Sequence, residues 1–99
     1  MISYRFLSPA EEEMTKIALY YETASSRLGS DFLDDVQRTV DRLCNFPQSG
    51  EFIDSHLRRT ILHRFPFSII YALEENEIVV VAVAHHGRKP GYWQSRVRG

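Results

Sequence analysis

Apolar residues follow a helical period in the first half of the chain and a strand period in the second half. Residues 2–7 (ISYRFL) alternate between apolar and polar positions, which is typical of a short β-strand. Apolar residues then recur at i, i+3, i+4 and i+7, the spacing of one face of an α-helix, at Met14, Ile17, Ala18 and Tyr21. Ser8 as the cap, Pro9 at the first helical position and Glu11 in a capping box predict where this helix starts. It should end near Ser25.

A second helix is predicted after residues 28–30 (LGS), with Asp31 in its first turn. Its apolar stripe comprises Leu33, Val36, Val40 and Leu43. The charged residues between them are expected to face water, namely Asp34, Asp35, Arg38 and Asp41. Pro47 ends this helix, because proline cannot continue the hydrogen-bond ladder. Since the link between the two helices is short, they should form an antiparallel hairpin.

The second half of the chain predicts three strands. Residues 57–63 form the first, and residues 67–74 (FSIIYALE) form the second, with a tight turn at Glu75-Asn76. Residues 77–84 (EIVVVAVA) are nearly all apolar, as expected of a central strand that is covered on both faces. The order β-α-α-β-β-β predicts a single α+β domain over residues 1–99. It consists of an N-terminal strand, an antiparallel helical hairpin on one face of the sheet, a three-stranded antiparallel meander and a short C-terminal tail.

Composition narrows the possible functions. The one cysteine, Cys44, is expected to be a buried thiol, and it excludes an internal disulfide and a paired-cysteine zinc site. The four histidines do not have the spacing of zinc ligands, so they do not predict a zinc site. We therefore expect no metal and no other cofactor. We also expect a cytoplasmic protein, because a lone cysteine fits a reducing compartment. Residues 1–20 contain no signal-peptide pattern, and the longest apolar run, residues 78–84, is too short for a membrane helix.

The near-neutral total charge of −1 hides an asymmetry. Residues 1–54 carry ten acids and five bases, whereas residues 55–99 carry three acids and seven bases. Ten of the twelve basic residues are arginine, the side chain best suited to bidentate contacts with phosphate or carboxylate. The acidic run Glu11–Glu13 is explained most simply by favourable charge at a helix N-terminus. The sequence therefore predicts an acidic helical side and a basic sheet face.

The C-terminal half resembles the RelE/ParE superfamily of bacterial toxin–antitoxin toxins. The resemblance rests on Arg59 and Leu62, on the stretch 65–71 (FPFSIIY), on the apolar strand that follows it, and on the ending His-x-x-Arg-x-Pro-x-Tyr-Trp. In that ending the matching residues are His85, Arg88, Pro90, Tyr92 and Trp93. The helical hairpin also lies where the superfamily has it, so the resemblance covers nearly the whole chain.

The resemblance implies a growth-inhibiting toxin that a cognate antitoxin neutralises in a hetero-oligomer, without a membrane partner. ParE-like members poison DNA gyrase, whereas RelE-like members are metal-free, ribosome-dependent mRNA endonucleases. RelE-like nucleases commonly carry an arginine at about the position of Ser68, and serine cannot supply that positive charge. This departure favours the ParE-like branch. A third alternative is a protein-binding module that has kept the fold and lost both activities.

The resemblance also implies candidate site residues. For the nuclease alternative the catalytic set would be Arg59, His85, Arg88 and Tyr92. The candidates for target binding are Arg58, Arg64, His86, Lys89, Trp93, Arg96 and Arg98. The basic residues of both sets could form one basic face, or they could be cations that protect sheet edges from aggregation.

Each aromatic or histidine candidate also has a purely structural interpretation. His85 could turn inward at the strand end, in phase with Val79, Val81 and Val83, so that His86 points outward. Trp93 is expected to fill the core between the sheet and the hairpin, and Tyr92 is expected to be exposed. A hydrophobic groove beside the hairpin, or an open sheet edge, should hold the antitoxin.

Overall fold

The computed structural model describes residues 2–97, which form a strand, two helices, four further strands and a short 3₁₀ turn. The elements are β1 (Ser3–Phe6), α1 (Ser8–Ala24), α2 (Leu28–Asn45), β2 (Glu51–Phe52), β3 (Leu57–Ile61), β4 (Phe67–Glu74), β5 (Glu77–His85) and the 3₁₀ turn (Gln94–Arg96). The predicted α+β order is confirmed. The two-residue strand β2 was not predicted, because two residues show no periodicity.

The five strands form one mixed sheet in the order β1-β5-β4-β3-β2. β1 runs parallel to β5, with Ser3 opposite Glu77, and the remaining neighbours are antiparallel. The turn at Glu75-Asn76 joins β4 to β5 as predicted, since Glu74 pairs directly with Glu77. Because β5 lies between β1 and β4, its long apolar run is that of a strand with neighbours on both sides.

Two apolar clusters cover the two faces of this sheet. On the helix side, Phe32 and Leu43 of α2 pack with Tyr71 and Ile78, and the buried thiol of Cys44 belongs to this cluster as predicted. The opposite cluster contains Ile70, Ala72, Val79, Val81, Ala82 and Ala84, with Tyr92 and Trp93 packed on it. The sheet face turned away from the helices, called the open face below, is therefore covered in part by the end of the chain.

The start of α1 differs from the predicted capping box. Leu7 is the cap residue, and its carbonyl accepts the Glu11 N–H at 3.0 Å, while Ser8 is already helical and its side chain makes no capping hydrogen bond. α2 begins at Leu28, earlier than predicted, because the Glu22 carboxylate accepts the backbone N–H groups of Arg27 and Gly29 at 3.0 and 3.1 Å. A side chain of α1 thus caps α2.

The apolar stripe of α2 begins at Phe32 and not at the predicted Leu33. Phe32 is buried, whereas Leu33 is 41% exposed. Asp35 was expected to face water, but it is buried, and its carboxylate accepts the N–H groups of His63, Arg64 and Phe65 at 3.3, 2.9 and 3.1 Å. This carboxylate holds the loop between β3 and β4, whose backbone donors would otherwise lack a partner.

Candidate functional site

A small cleft on the open face brings several candidate residues together. It has a volume of about 90 Å³ and lies between the ends of β3, β4 and β5 and the chain that follows β5. Its lining comprises Arg59, Ser68, Ile70, Ala84, His85, His86, Arg88, Pro90 and Trp93. We call this the open-face cleft, and residues 86–97 the C-terminal segment. The cleft combines cationic, imidazole and aromatic groups, which suit an anionic or a planar partner.

His86 is held at the cleft from two sides. Its Nε2 lies 3.1 Å from the Ser68 hydroxyl, and its backbone N–H donates to the Pro66 carbonyl at 3.0 Å. Ser68 is itself buried in β4, so its hydroxyl is a fixed partner. Ser68 therefore positions the His86 imidazole.

His85 faces the other side of the sheet because β5 contains a β-bulge. Ile70 pairs with Ala82 and Tyr71 with Val80, so one extra residue, Val81, shifts the alternation. The His85 ring packs edge-on against Phe67 at 5.0 Å. The inward turn that the sequence leaves open as one alternative does not occur. His85 shares the direction of Val83 but not that of Val79 and Val81, and it is exposed at the rim shared by the helix side and the cleft. His86 is the imidazole fixed in the cleft.

Arg58 and Arg59 point to opposite faces of β3, because neighbouring strand residues alternate. Arg59 pairs with Ile70 in register, lines the cleft and forms an ion pair with Glu51. Arg58 instead donates to the Gln48 and Gly50 carbonyls at 2.9 and 2.8 Å. Its role in this structure is to hold the loop that precedes β2.

The predicted single basic face is therefore wrong. Arg64 forms an ion pair with Asp31 at 3.3 Å, next to α2 rather than on the open face. Arg96 forms an ion pair with Glu13 of α1. Lys89 is exposed, but it does not line the cleft. Arg98 lies outside the described residues. Arg59 and Arg88 are the arginines that line the cleft, so the basic character of the open face is more local than the charge count suggested.

The aromatic pair Tyr92 and Trp93 packs on the open face. The two rings contact each other edge-on at 5.2 Å, and the Arg88 guanidinium lies 3.7 Å from the centre of the Tyr92 ring. Trp93 was expected to fill the core between sheet and hairpin, but it packs on the opposite apolar cluster. Tyr92 was expected to be exposed, but it is half-buried. The chain end covers the open face because the hairpin leaves that face of β4 and β5 uncovered.

Glu13 of α1 binds the C-terminal segment. Its two carboxylate oxygens accept Arg96 Nη1 and Nη2 at 2.8 and 2.9 Å, and one of them also accepts the Val83 N–H at 3.1 Å. Arg88 Nη1 lies 3.7 Å from Glu13 Oε2. Burial raises the pKa of the Glu13 carboxyl, but the hydrogen bonds from Arg96 and the Val83 N–H outweigh it, so the net pKa is lowered. Charge at the helix N-terminus was the wrong explanation for Glu13.

The Tyr92 hydroxyl lies beside Glu13 and not in the cleft, so it is not placed to transfer a proton there. It is buried beside Glu13 and, among residues 2–97, finds no partner with the geometry of a hydrogen bond. Burial and the adjacent carboxylate raise the pKa of Tyr92 to about 12. A phenol in this position is a poor proton donor near neutral pH.

Of the ten predicted site residues within residues 2–97, the cleft joins five and omits five. Arg59, His85, His86, Arg88 and Trp93 line it, whereas Arg58, Arg64, Lys89, Tyr92 and Arg96 do not. Sequence reasoning missed the contacts of Glu13 with Arg96 and of Ser68 with His86, because these partners are 83 and 18 positions away and no periodicity links them. Over the described part of the chain, no group of three or more His, Cys, Asp or Glu side chains is placed to hold a metal.

A family model that describes the ParE toxin of the type II toxin–antitoxin system parDE matches residues 4–90. The match spans most of the chain, so the chain belongs to the ParE toxin family. It is a toxin of a type II toxin–antitoxin system, and its partner is a cognate antitoxin. Comparison with curated proteins finds no match. No helix within residues 2–97 is long and apolar enough to cross a membrane.

Two solved structures share the fold. A chain of the chromosomal ParDE toxin–antitoxin system from P. aeruginosa is 20% identical, with a TM-score of 0.61, over 86% of this chain and 96% of that one. The isolated E. coli RelE toxin is 12% identical, with a TM-score of 0.63, over 97% of this chain and 96% of that one. At such low identity these likenesses show the RelE-like α+β fold alone.

Proposed function

We propose that this toxin arrests growth by binding and inhibiting DNA gyrase in the cytoplasm, through the open-face cleft and the C-terminal segment. The observation that carries the proposal is the orientation of Tyr92, whose hydroxyl lies beside Glu13 instead of in the cleft. A cleft without that acid retains binding groups but lacks one member of the predicted catalytic set. Membership of the ParE family supports the same choice.

The chemistry of the open face suits a protein or nucleoprotein target. Arg88 is stacked on Tyr92, and Trp93 lies next to it at the cleft. Arginine and large aromatic side chains supply most of the binding energy in many protein interfaces, because they bury large areas and still donate hydrogen bonds. Side chains that already pack on one another, as these do, lose less conformational entropy on binding than free ones.

The second candidate function is cleavage of ribosome-bound mRNA, which one specific observation favours. Arg59, His86 and Arg88 line the same cleft, and Ser68 fixes the imidazole. An imidazole and two guanidinium groups could act as a base and stabilise negative charge on a phosphorane. However, Arg59 already forms an ion pair with Glu51, so its charge is partly neutralised before any substrate arrives.

The outer side of the helical hairpin is the surface we propose for the antitoxin. A shallow, mainly apolar groove runs between the helices there, lined by Met14, Thr15, Ala18, Leu19, Glu22, Gly29, Ser30 and Leu33. Leu19 is 62% exposed, which is high for a leucine in a structured helix. An amphipathic segment of the antitoxin could cover this groove.

Two assays run in parallel on the full chain test the proposal: supercoiling by gyrase, and cleavage of mRNA on translating ribosomes. We expect loss of supercoiling with intact mRNA, and weaker inhibition by Trp93→Ala and Arg88→Ala. Arg38→Ala is the matched control, because Arg38 is exposed on α2 and does not line the cleft.

Three results would contradict the proposal. Cuts in mRNA that disappear in His86→Ala or His85→Ala would establish the nuclease instead. Silence in both assays, together with normal growth on induction, would indicate a binding module without toxicity. Equal loss of inhibition in Arg38→Ala would show that the open face is not the target-binding surface.

A further inference from the structure

Glu13 belongs to a helix that contributes no lining residue to the open-face cleft, yet it binds the segment that forms one wall of that cleft. We infer that Glu13 is a positioning residue of the target-binding surface: it holds the C-terminal segment on the open face. The activity part of this inference rests on the proposed function. The structural part stands on its own geometry.

The contact between Glu13 and Arg96 has the features of a fixed interaction. It is bidentate, and the two side chains are only 14% and 16% exposed, so water and salt screen the pair less than a surface pair. The other ion pairs of the described residues are more exposed on at least one side, such as Arg59–Glu51 at 43% and 63%. The partners lie 83 positions apart, so the ion pair joins α1 to the C-terminal segment.

The same two side chains complete the edge of β5. β1 pairs with β5 only as far as Val80, and the next backbone groups on that edge belong to the bulge and the residues after it. Glu13 accepts the Val83 N–H, and Arg96 donates to the Val81 carbonyl at 3.1 Å. Beyond the end of β1, the ion pair thus supplies the hydrogen-bond partners that a neighbouring strand would give to β5, which explains why it forms at this place.

A continuous set of contacts leads from Glu13 to the cleft. Arg88 lies 3.7 Å from the Glu13 carboxylate and stacks on the Tyr92 ring, and Arg96 approaches the same ring at 5.1 Å. Tyr92 contacts Trp93, which lines the cleft. Removing the negative charge at Glu13 withdraws the common partner of both arginines and should release the aromatic pair from the open face.

Glu13→Gln is the informative variant, because its amide oxygen can still accept the Val83 N–H while the charge is lost. Glu12→Gln is the matched control: it removes the same charge one residue away, where the side chain is exposed. Trp93 is the chain's one tryptophan and therefore a built-in reporter of the segment. We expect red-shifted emission and stronger acrylamide quenching in Glu13→Gln, and wild-type values in Glu12→Gln.

Arg96→Gln tests the same contact from its other end and leaves α1 untouched. It should reproduce the red shift while the far-ultraviolet circular dichroism stays that of the folded wild type. If Glu13→Gln proves unfolded, Arg96→Gln decides the question alone. Trp93 emission and quenching at wild-type values in the folded variants would overturn the inference.

Gyrase inhibition by the same variants tests the consequence for function. We expect Glu13→Gln to lose inhibition and Glu12→Gln to retain it. Inhibition that persists although Trp93 is released would also overturn the inference, because the target would then not need a positioned segment. If the wild type fails to inhibit gyrase, the proposed function fails, and the Trp93 comparison still decides whether Glu13 positions the segment.

Discussion

Replacement of Asp35 by alanine should destabilise the toxin more than any surface substitution. Asp35 is 3% exposed, and its carboxylate accepts three backbone N–H groups of the loop between β3 and β4. Phe65 is buried, so its N–H would lose its partner without gaining water, whereas His63 and Arg64 are exposed and can be rehydrated. One unsatisfied buried donor and two replaceable bonds amount to about 2–5 kcal/mol.

The measurement is urea unfolding of the wild type and of Asp35→Ala, followed by circular dichroism. A domain of this size has a free energy of unfolding of roughly 5–15 kcal/mol, so the expected loss is a large fraction of the total. Asp34→Ala is the control, because Asp34 is the exposed neighbour on the same helix, and it should stay within about 0.5 kcal/mol of the wild type. A loss below about 1 kcal/mol in Asp35→Ala would refute the assignment of these hydrogen bonds as the main support of the loop.

Three further predictions concern other buried contacts. The contacts of the folded state hold the pKa of the Glu13 carboxyl below its ordinary value, so its contribution to stability is present above that ordinary value and is lost as the pH falls through the lower folded pKa. Acid titration should show this loss in the wild type and not in Glu13→Gln. Gly29→Ala would place a Cβ against the Ala18 carbonyl oxygen, closer than van der Waals contact allows. Thermal unfolding should show a net loss of about 1–2 kcal/mol despite the better helix propensity of alanine. Tyr71→Phe removes a hydroxyl that accepts the Gly50 N–H at 3.0 Å, and urea unfolding should show a loss of stability of about 1–3 kcal/mol. An unchanged unfolding midpoint in Gly29→Ala or in Tyr71→Phe would contradict the contacts described.

Periodicity predicted the elements well where burial is one-sided or complete. The alternation in residues 67–74 and the apolar run that follows were placed almost to the residue, because side-chain direction repeats every two positions in a strand. α1 was likewise predicted from its apolar face. These elements are determined by local pattern, which a sequence displays directly.

The errors at Asp35 and Glu13 share one physical cause: each carboxylate binds a partner far away in sequence. Asp35 looks like a solvent-facing residue until the loop after β3 supplies three N–H groups to it. Glu13 looks like helix-terminal charge until Arg96 reaches it. Nothing in the pattern around either carboxylate distinguishes it from its exposed neighbours.

The misplacement of His85 has a different origin. A single extra residue in β5, the bulge at Val81, reverses the faces of everything after it. Val83 and His85 thereby turn to the helix side, and Ala84 turns to the open face. A run of seven apolar residues carries no sign of where such a bulge occurs, so the side of the sheet to which His85 turns could not be predicted.

The parallel pairing of β1 with β5 also constrains the order in which the sheet can form during translation. Ser3 leaves the ribosome early, but its partner Glu77 belongs to β5, which is translated after both helices and the other strands. β1 therefore has no strand partner until β5 has been made, and a product that stops before β5 lacks the strand that joins β1 to β4.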